Sequence, residues 1–218
     1  MDAIFGNLDL WGEGLGNTLI LFFGGGAIAL VLGSIVGAMR VSPVPIARAV
    51  GTLYVNLIRN TPLTLVFFFA VLGYAKLGLP DLDFITLGVL ALGVYTATYV
   101  AEVLRAGIST VPVGQAEAAR AIGLPFGQVM SLVVLPQAFR SVVPPMMSVF
   151  IALLKNTTIA AGFSVLELAA VRSNVSESEF RPGSSMEILL WTAVIFVVLV
   201  FLLSFVQNRL EKKWRIAR

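Results

Sequence analysis

Two short polar runs, Arg59-Asn60-Thr61-Pro62 and Lys155-Asn156-Thr157-Thr158, interrupt otherwise apolar stretches, and Glu102 adds a carboxylate to a third. Tyr95, Thr96, Thr98 and Tyr99 bring hydroxyls to that same third stretch. The chain has no histidine and no cysteine, so the commonest general base, the commonest metal ligand and all thiolate chemistry are missing. What remains is recognition chemistry. The Lys155 ammonium, the Asn156 carboxamide and the hydroxyls of Thr157 and Thr158 suit a carboxylate-bearing solute; the alternative is polar glue between helices. Polar backbone at such depth implies local unwinding beside protein or a wet cavity. Tyr95 and Tyr99 are one helical turn apart and share a face, so they line a path or satisfy each other. Arg59 and Glu102 are expected at similar depth, where an ion pair between them would neutralise both. The Phe67-Phe68-Phe69 run reads as lipid or helix contact rather than a substrate box.

The elements that must position these groups follow from composition. Of 218 residues, 58% are hydrophobic and only 12% are charged, against about a quarter charged in a soluble domain. The mean hydropathy is +0.93. These values place the chain in lipid, as an all-α integral membrane protein. A bilayer core needs about 20 apolar residues as a helix, and five stretches qualify, at about 17–39, 51–75, 84–104, 142–163 and 187–206. Proline at 62 interrupts the second, because it lacks a donor and disfavours helix at Thr61. A short interfacial helix from Ile46 is expected to lead into it. Gly33 and Gly37 in the first stretch have the small-xxx-small spacing that lets helices approach closely.

Charge sets the expected orientation. Arg40 and Arg48, then Arg105, Arg120 and Arg140, then Arg209, Lys212, Lys213, Arg215 and Arg218 fall on one side. The other side holds Lys76, Arg172 and Arg181 with most of the acids, among them Asp2, Asp9, Glu13, Asp81, Asp83, Glu167, Glu177, Glu179 and Glu187. Lys and Arg in short loops mark the cytoplasmic side, so the N-terminus is expected outside and the C-terminus inside. The basic tail reads as a stop-transfer anchor attracted to anionic lipid. The first residues lack a basic start, which predicts a retained span rather than a cleaved leader.

Between the third and fourth stretches lies a polar, charge-bearing island, about 107–140. Alanines 116, 118, 119 and 121 favour helix, and Gly123 can take the left-handed conformation that ends one. Leu124-Pro125 starts a second short segment and Leu135-Pro136 is expected to end it. Two short helices around a glycine turn, on the cytoplasmic side, form a surface that a partner could grip. The bland alternative is an amphipathic loop packed on its own protein.

Here a resemblance is clear. Glu117-Ala118-Ala119, Gly123, Val133 and Leu135-Pro136 resemble the EAA-type loop of the permease subunits of bacterial ATP-binding cassette (ABC) importers, with Val133 where isoleucine is frequent. Arg59-Asn60-Thr61-Pro62-Leu63, the run from Tyr99 to Gly107, Gln115-Ala116-Glu117 and Leu154-Lys155-Asn156-Thr157-Thr158 are similar to the polar amino-acid branch, leaning to its glutamate/glutamine/aspartate group. Many members carry Asp where Asn156 stands, which weakens the case for a cationic substrate. The resemblance implies a type I importer permease fold in the bacterial cytoplasmic membrane. It implies coupling to an ATPase subunit dimer through Gln115, Glu117, Ala118, Ala119, Gly123, Leu135 and Pro136, with the docking surface at about 113–123. It implies a substrate pathway near Tyr95, Thr98, Tyr99 and the Lys155 run. ATP and Mg would belong to the ATPase, since this chain has no Gly-x-x-x-x-Gly-Lys-[Ser/Thr] loop and is expected to be non-catalytic. A second permease subunit, identical or a sister, and an extracytoplasmic solute-binding protein would complete the assembly; no nucleic acid is implied. Interrupted helices also fit a secondary transporter or channel working without ATP, although inverted repeats are not evident. A membrane-embedded enzyme ranks last, with no histidine, cysteine or carboxylate cluster in the spans.

Overall fold

A computed structural model describes residues 6–178 and 184–214, and the side chains of 176–178, 184–185 and 213–214 are not among those described. Asp2, Glu179, Arg181, Arg215 and Arg218, and the side chains of Glu177 and Lys213, therefore lie outside the described part of the charge argument. Among the described residues every regular element is helical. The helices are α1 Leu8–Val41, α2 Pro45–Arg59, α3 Leu63–Gly73, α4 Phe84–Ser109, α5 Val113–Ala121, α6 Phe126–Phe163, α7 Val171–Ser178 and α8 Ser184–Trp214. By length and composition α1, α4, α6 and α8 can each cross a bilayer.

The second expected span is not one rod. Helices α2 and α3 meet at 99°. Pro62 takes an extended ψ of 136°, since its ring and missing donor cannot continue a helix. The freed groups are satisfied locally: Thr61 Oγ1 donates to the Leu57 carbonyl at 2.8 Å, and Leu65 N and Val66 N donate to the Pro62 carbonyl. These local bonds hold the sharp turn.

Helices α1 and α4 form the central pair, and glycine is the reason. A Cβ on Gly33 would lie 2.6 Å from Val100 Cβ and 2.8 Å from the Ala97 carbonyl oxygen. One on Gly93 would meet Ile28 Cβ at 2.6 Å. Each glycine leaves room for the facing helix's side chain, Val100 or Ile28, to lie directly on its backbone. Around this pair Leu21, Phe22, Leu63, Phe67, Leu92, Leu153 and Ala160 close a core drawn from α1, α3, α4 and α6. Phe67 is fully buried and stacks on Phe163 at 5.1 Å, whereas Phe69 is exposed. Helix α8 lies at the periphery with Val194, Val198, Phe201, Leu202 and Phe205 facing outward, as suits a lipid-facing surface.

Two expectations about α6 are corrected. Leu135-Pro136 does not end a segment; α6 runs from Phe126 through it to Phe163. A π-helical stretch over Val129–Val134 widens the helix immediately ahead of Pro136, so the proline ring and its missing donor are absorbed without a break. Nor is the Lys155 run unwound: the helix tightens into a 3-10 turn over Thr157–Phe163.

Candidate functional site

A polar-edged cavity of about 390 Å³ opens between α4 and α6, lined by Tyr95, Thr96, Tyr99, Ser148, Ala152 and Asn156, with Val149 and Leu153. Two helical stripes face each other across it. Tyr95 and Tyr99 are four apart on α4; Ser148, Ala152 and Asn156 are four apart on α6. Side chains four apart share a helix face, so each helix offers one polar ridge to the same space. The two tyrosine hydroxyls share a hydrogen bond of 3.0 Å. The Arg59 guanidinium carbon stands 5.4 Å from the centre of the Tyr99 ring, within cation–π range.

The structure divides the expected pathway residues. Tyr95, Tyr99 and Asn156 come together in the cavity wall. Thr98 is buried and donates to the Tyr95 carbonyl at 2.7 Å. Thr157 is buried and donates to the Leu154 carbonyl, and Thr158 donates to that of Lys155, both at 2.8 Å. These hydroxyls serve their own helices. Lys155 is exposed and outside the wall. Thr96, named in the sequence only for its hydroxyl, also lines the wall. Ser148 and Ala152 were not singled out from the sequence; their four-residue spacing to Asn156 was the available signal.

The expected Arg59–Glu102 ion pair does not form. Glu102 pairs instead with Arg40 of α1 and with Arg105 one turn along α4, whose Nε donates at 3.1 Å. The reason is the turn at Pro62 and the α1–α4 contact: the latter brings the end of α1 against Glu102, while Arg59 is carried to Tyr99. An exposed arginine over an aromatic face keeps its charge available.

The polar island forms a compact hook. Ala119, Val129 and Val134 make its small core with Ile108, Val111, Ala116 and Leu124. Gly123 has φ +89°, the left-handed region that favours glycine, and its N–H donates to the Arg120 carbonyl at 2.9 Å. The Gln137 carboxamide donates to that of Gln115, tying α5 to α6. Outside this core, Glu117 and Ala118 are exposed, and so are the apolar Val113 (72%) and Ile122 (79%). Leu135 and Pro136 are exposed as well. The expected coupling residues thus share one module.

Apolar spans, a broken helix and a polar cavity between helices define a membrane transport component. Residues 14–216 match the family described as "binding-protein-dependent transport system inner membrane component". A glutamate transport system permease protein of Corynebacterium efficiens is 44% identical over 162 residues, 69% of this chain and 71% of the relative. A probable glutamine ABC transporter permease protein of Bacillus subtilis is 36% identical over 98% of this chain and 97% of its own. The crystal structure of an amino acid ABC transporter with histidines superimposes with a TM-score of 0.88 at 28% identity, covering 96% of both chains. The chain belongs to the family of inner-membrane components of binding-protein-dependent transport systems, and it is a multi-pass protein of the cytoplasmic membrane.

Proposed function

We propose that this chain is the non-catalytic permease subunit of an ABC importer for a polar amino acid, glutamate or a related acidic or amide amino acid. The cavity between the Tyr95–Tyr99 and Ser148–Asn156 stripes carries the reading. Its volume falls within the usual range for small-molecule sites, and its wall offers hydroxyls and a carboxamide without a fixed carboxylate. Arg59 beside Tyr99 and Lys155 beside Asn156 are the cations to which a substrate carboxylate would be drawn. The relatives named for glutamate and glutamine support that substrate class.

The hook supplies the drive. Val113, Ile122 and the exposed Glu117 and Ala118 of α5 seat in a separate ATPase subunit dimer, which holds ATP and Mg, while Ala119 faces the hook's own core. A second permease chain, a copy or a sister, completes the pathway, and an extracytoplasmic binding protein delivers solute at the N-terminal side. Closure of the ATPases moves the hook as a rigid lever and biases the spans between outward and inward states. Family membership favours this over an ATP-independent transporter.

Uptake of labelled glutamate, glutamine and aspartate by the complete reconstituted transporter is the test. Asn156→Leu should leave assembly intact and cut uptake about tenfold or more, the cost of a lost hydrogen bond to a charged ligand. Unchanged uptake in that variant would remove the cavity from the pathway. Lys155→Ala, run in parallel, assigns the substrate carboxylate: loss of uptake assigns it to Lys155, and wild-type uptake leaves Arg59 as its cation.

A further inference from the structure

A second cavity, of about 560 Å³, opens further along α4, where α1 ends, α2 begins and α4 approaches its last turn. Three guanidinium groups line it: Arg40, Arg48 and Arg105. Glu102 compensates one of the three charges through its pairs with Arg40 and Arg105. The side chain of Arg40 is only 11% exposed, yet its Nε is buried without an acceptor. Arg48 is exposed and held by a single 2.8 Å bond to the Ser42 carbonyl. Thr52 and Asn56 follow Arg48 at four-residue intervals and line the same space, so α2 presents a stripe of donors. On the flank of this helix end, Val44, Ile46, Val50 and Leu53 are all more than half exposed.

We propose that this cavity is a phosphate site, and that its occupant is the headgroup phosphate of an anionic phospholipid. Guanidinium forks match phosphate oxygens, and basic pockets between spans at a membrane boundary hold anionic headgroups. The uncompensated charge and the orphaned Arg40 Nε call for an anion. The exposed aliphatic side chains beside it suit an acyl chain, which a soluble phosphate lacks. The site is separate from the substrate cavity and independent of which amino acid is carried.

The test uses the complete transporter in native mass spectrometry with phosphatidylglycerol and phosphatidylcholine in competition. The wild type should retain phosphatidylglycerol preferentially, and Arg48→Gln should lower that retention about tenfold or more, the loss of a charge-assisted hydrogen bond to phosphate. Lys212→Gln, in the basic end of α8, should change it little. Equal losses in both variants, or none in Arg48→Gln, would mean general surface attraction and overturn the site. Inorganic phosphate is the second arm. If it binds lipid-free complex with the same Arg48 dependence and phosphatidylglycerol fails to displace it, the lipid is overturned as the source. Should Arg48→Gln not assemble, a photoactivatable phosphatidylglycerol on the unmodified complex decides: labelling at 40–56 and 105 supports the site, and labelling confined to α8 overturns it.

Discussion

Glu102 accepts from Arg40 and Arg105 at the end of α4, and this cluster ties α1 to α4 where the glycine contact ends. The Arg40 and Glu102 side chains are 11% and 27% exposed, and removing Arg40 leaves Glu102 on Arg105 alone. Arg40→Met alone should destabilise by about 1.5–3 kcal/mol, the worth of a hydrogen bond between charged groups. Arg40→Met with Glu102→Met should recover much of that loss, read as the melting temperature of the detergent-solubilised protein. Exchanging the charges of Arg59 and Glu102 should rescue nothing. Glu167, in the connection from α6 to α7, is fully buried against α1. Burial pushes its carboxyl up from the ordinary 4.5 to about 7, against the opposing bonds from Ala169, Ala170 and Thr18. With the folded-state pKa above the unfolded one, the folded protein holds the proton more tightly. Stability from this group is full below about 4.5 and is lost as pH rises through about 7. Glu167→Gln should therefore flatten the fall in melting temperature between pH 5 and pH 8 (about the range where the two pKa values separate the states) and gain relative to wild type at the upper end.

At the scale of elements, contact geometry decides which changes are tolerated. Gly33 has no room for a side chain against Val100 and the Ala97 carbonyl. Gly33→Ala should cost about 1–3 kcal/mol by overpacking, and Gly33→Leu should separate α1 from α4. Accessibility of a cysteine placed at Thr98, buried in the wild type, would report that separation. The hook depends on a different glycine property. Open space surrounds Gly123, but its φ of +89° is far from the −65° that proline imposes. Gly123→Pro should leave the spans folded, unseat α5, and abolish co-purification with the ATPase. Retained co-purification with wild-type uptake would remove the hook from coupling. The small-xxx-small spacing and the glycine stop were both legible in the sequence, because each is a local steric rule. The continuity of α6 through Pro136 was not, because it required the π-helical stretch over Val129–Val134 to take up the missing donor.

At the scale of the whole molecule, apolar residues lie both inside and outside, and polar groups concentrate at two places between α4 and its neighbours and at the hook. The family assignment and the all-helical, membrane-spanning architecture follow from composition, span length and the Glu117-Ala118-Ala119 region, since each is carried by residues close together in the chain. The sequence by itself determined the lipid environment, the spans near α1, α4 and α8, the break at Pro62, the hook and its glycine turn. Tertiary structure alone decided the partners. It placed Arg40 rather than Arg59 on Glu102, set Asn156 rather than Lys155 into the wall with Tyr95 and Tyr99, and turned α2 by 99° from α3. The physical reason is range: propensity and hydropathy act over a turn or a span, whereas which charge meets which carboxylate depends on how closely two backbones approach, and here the glycines of α1 and α4 set that distance.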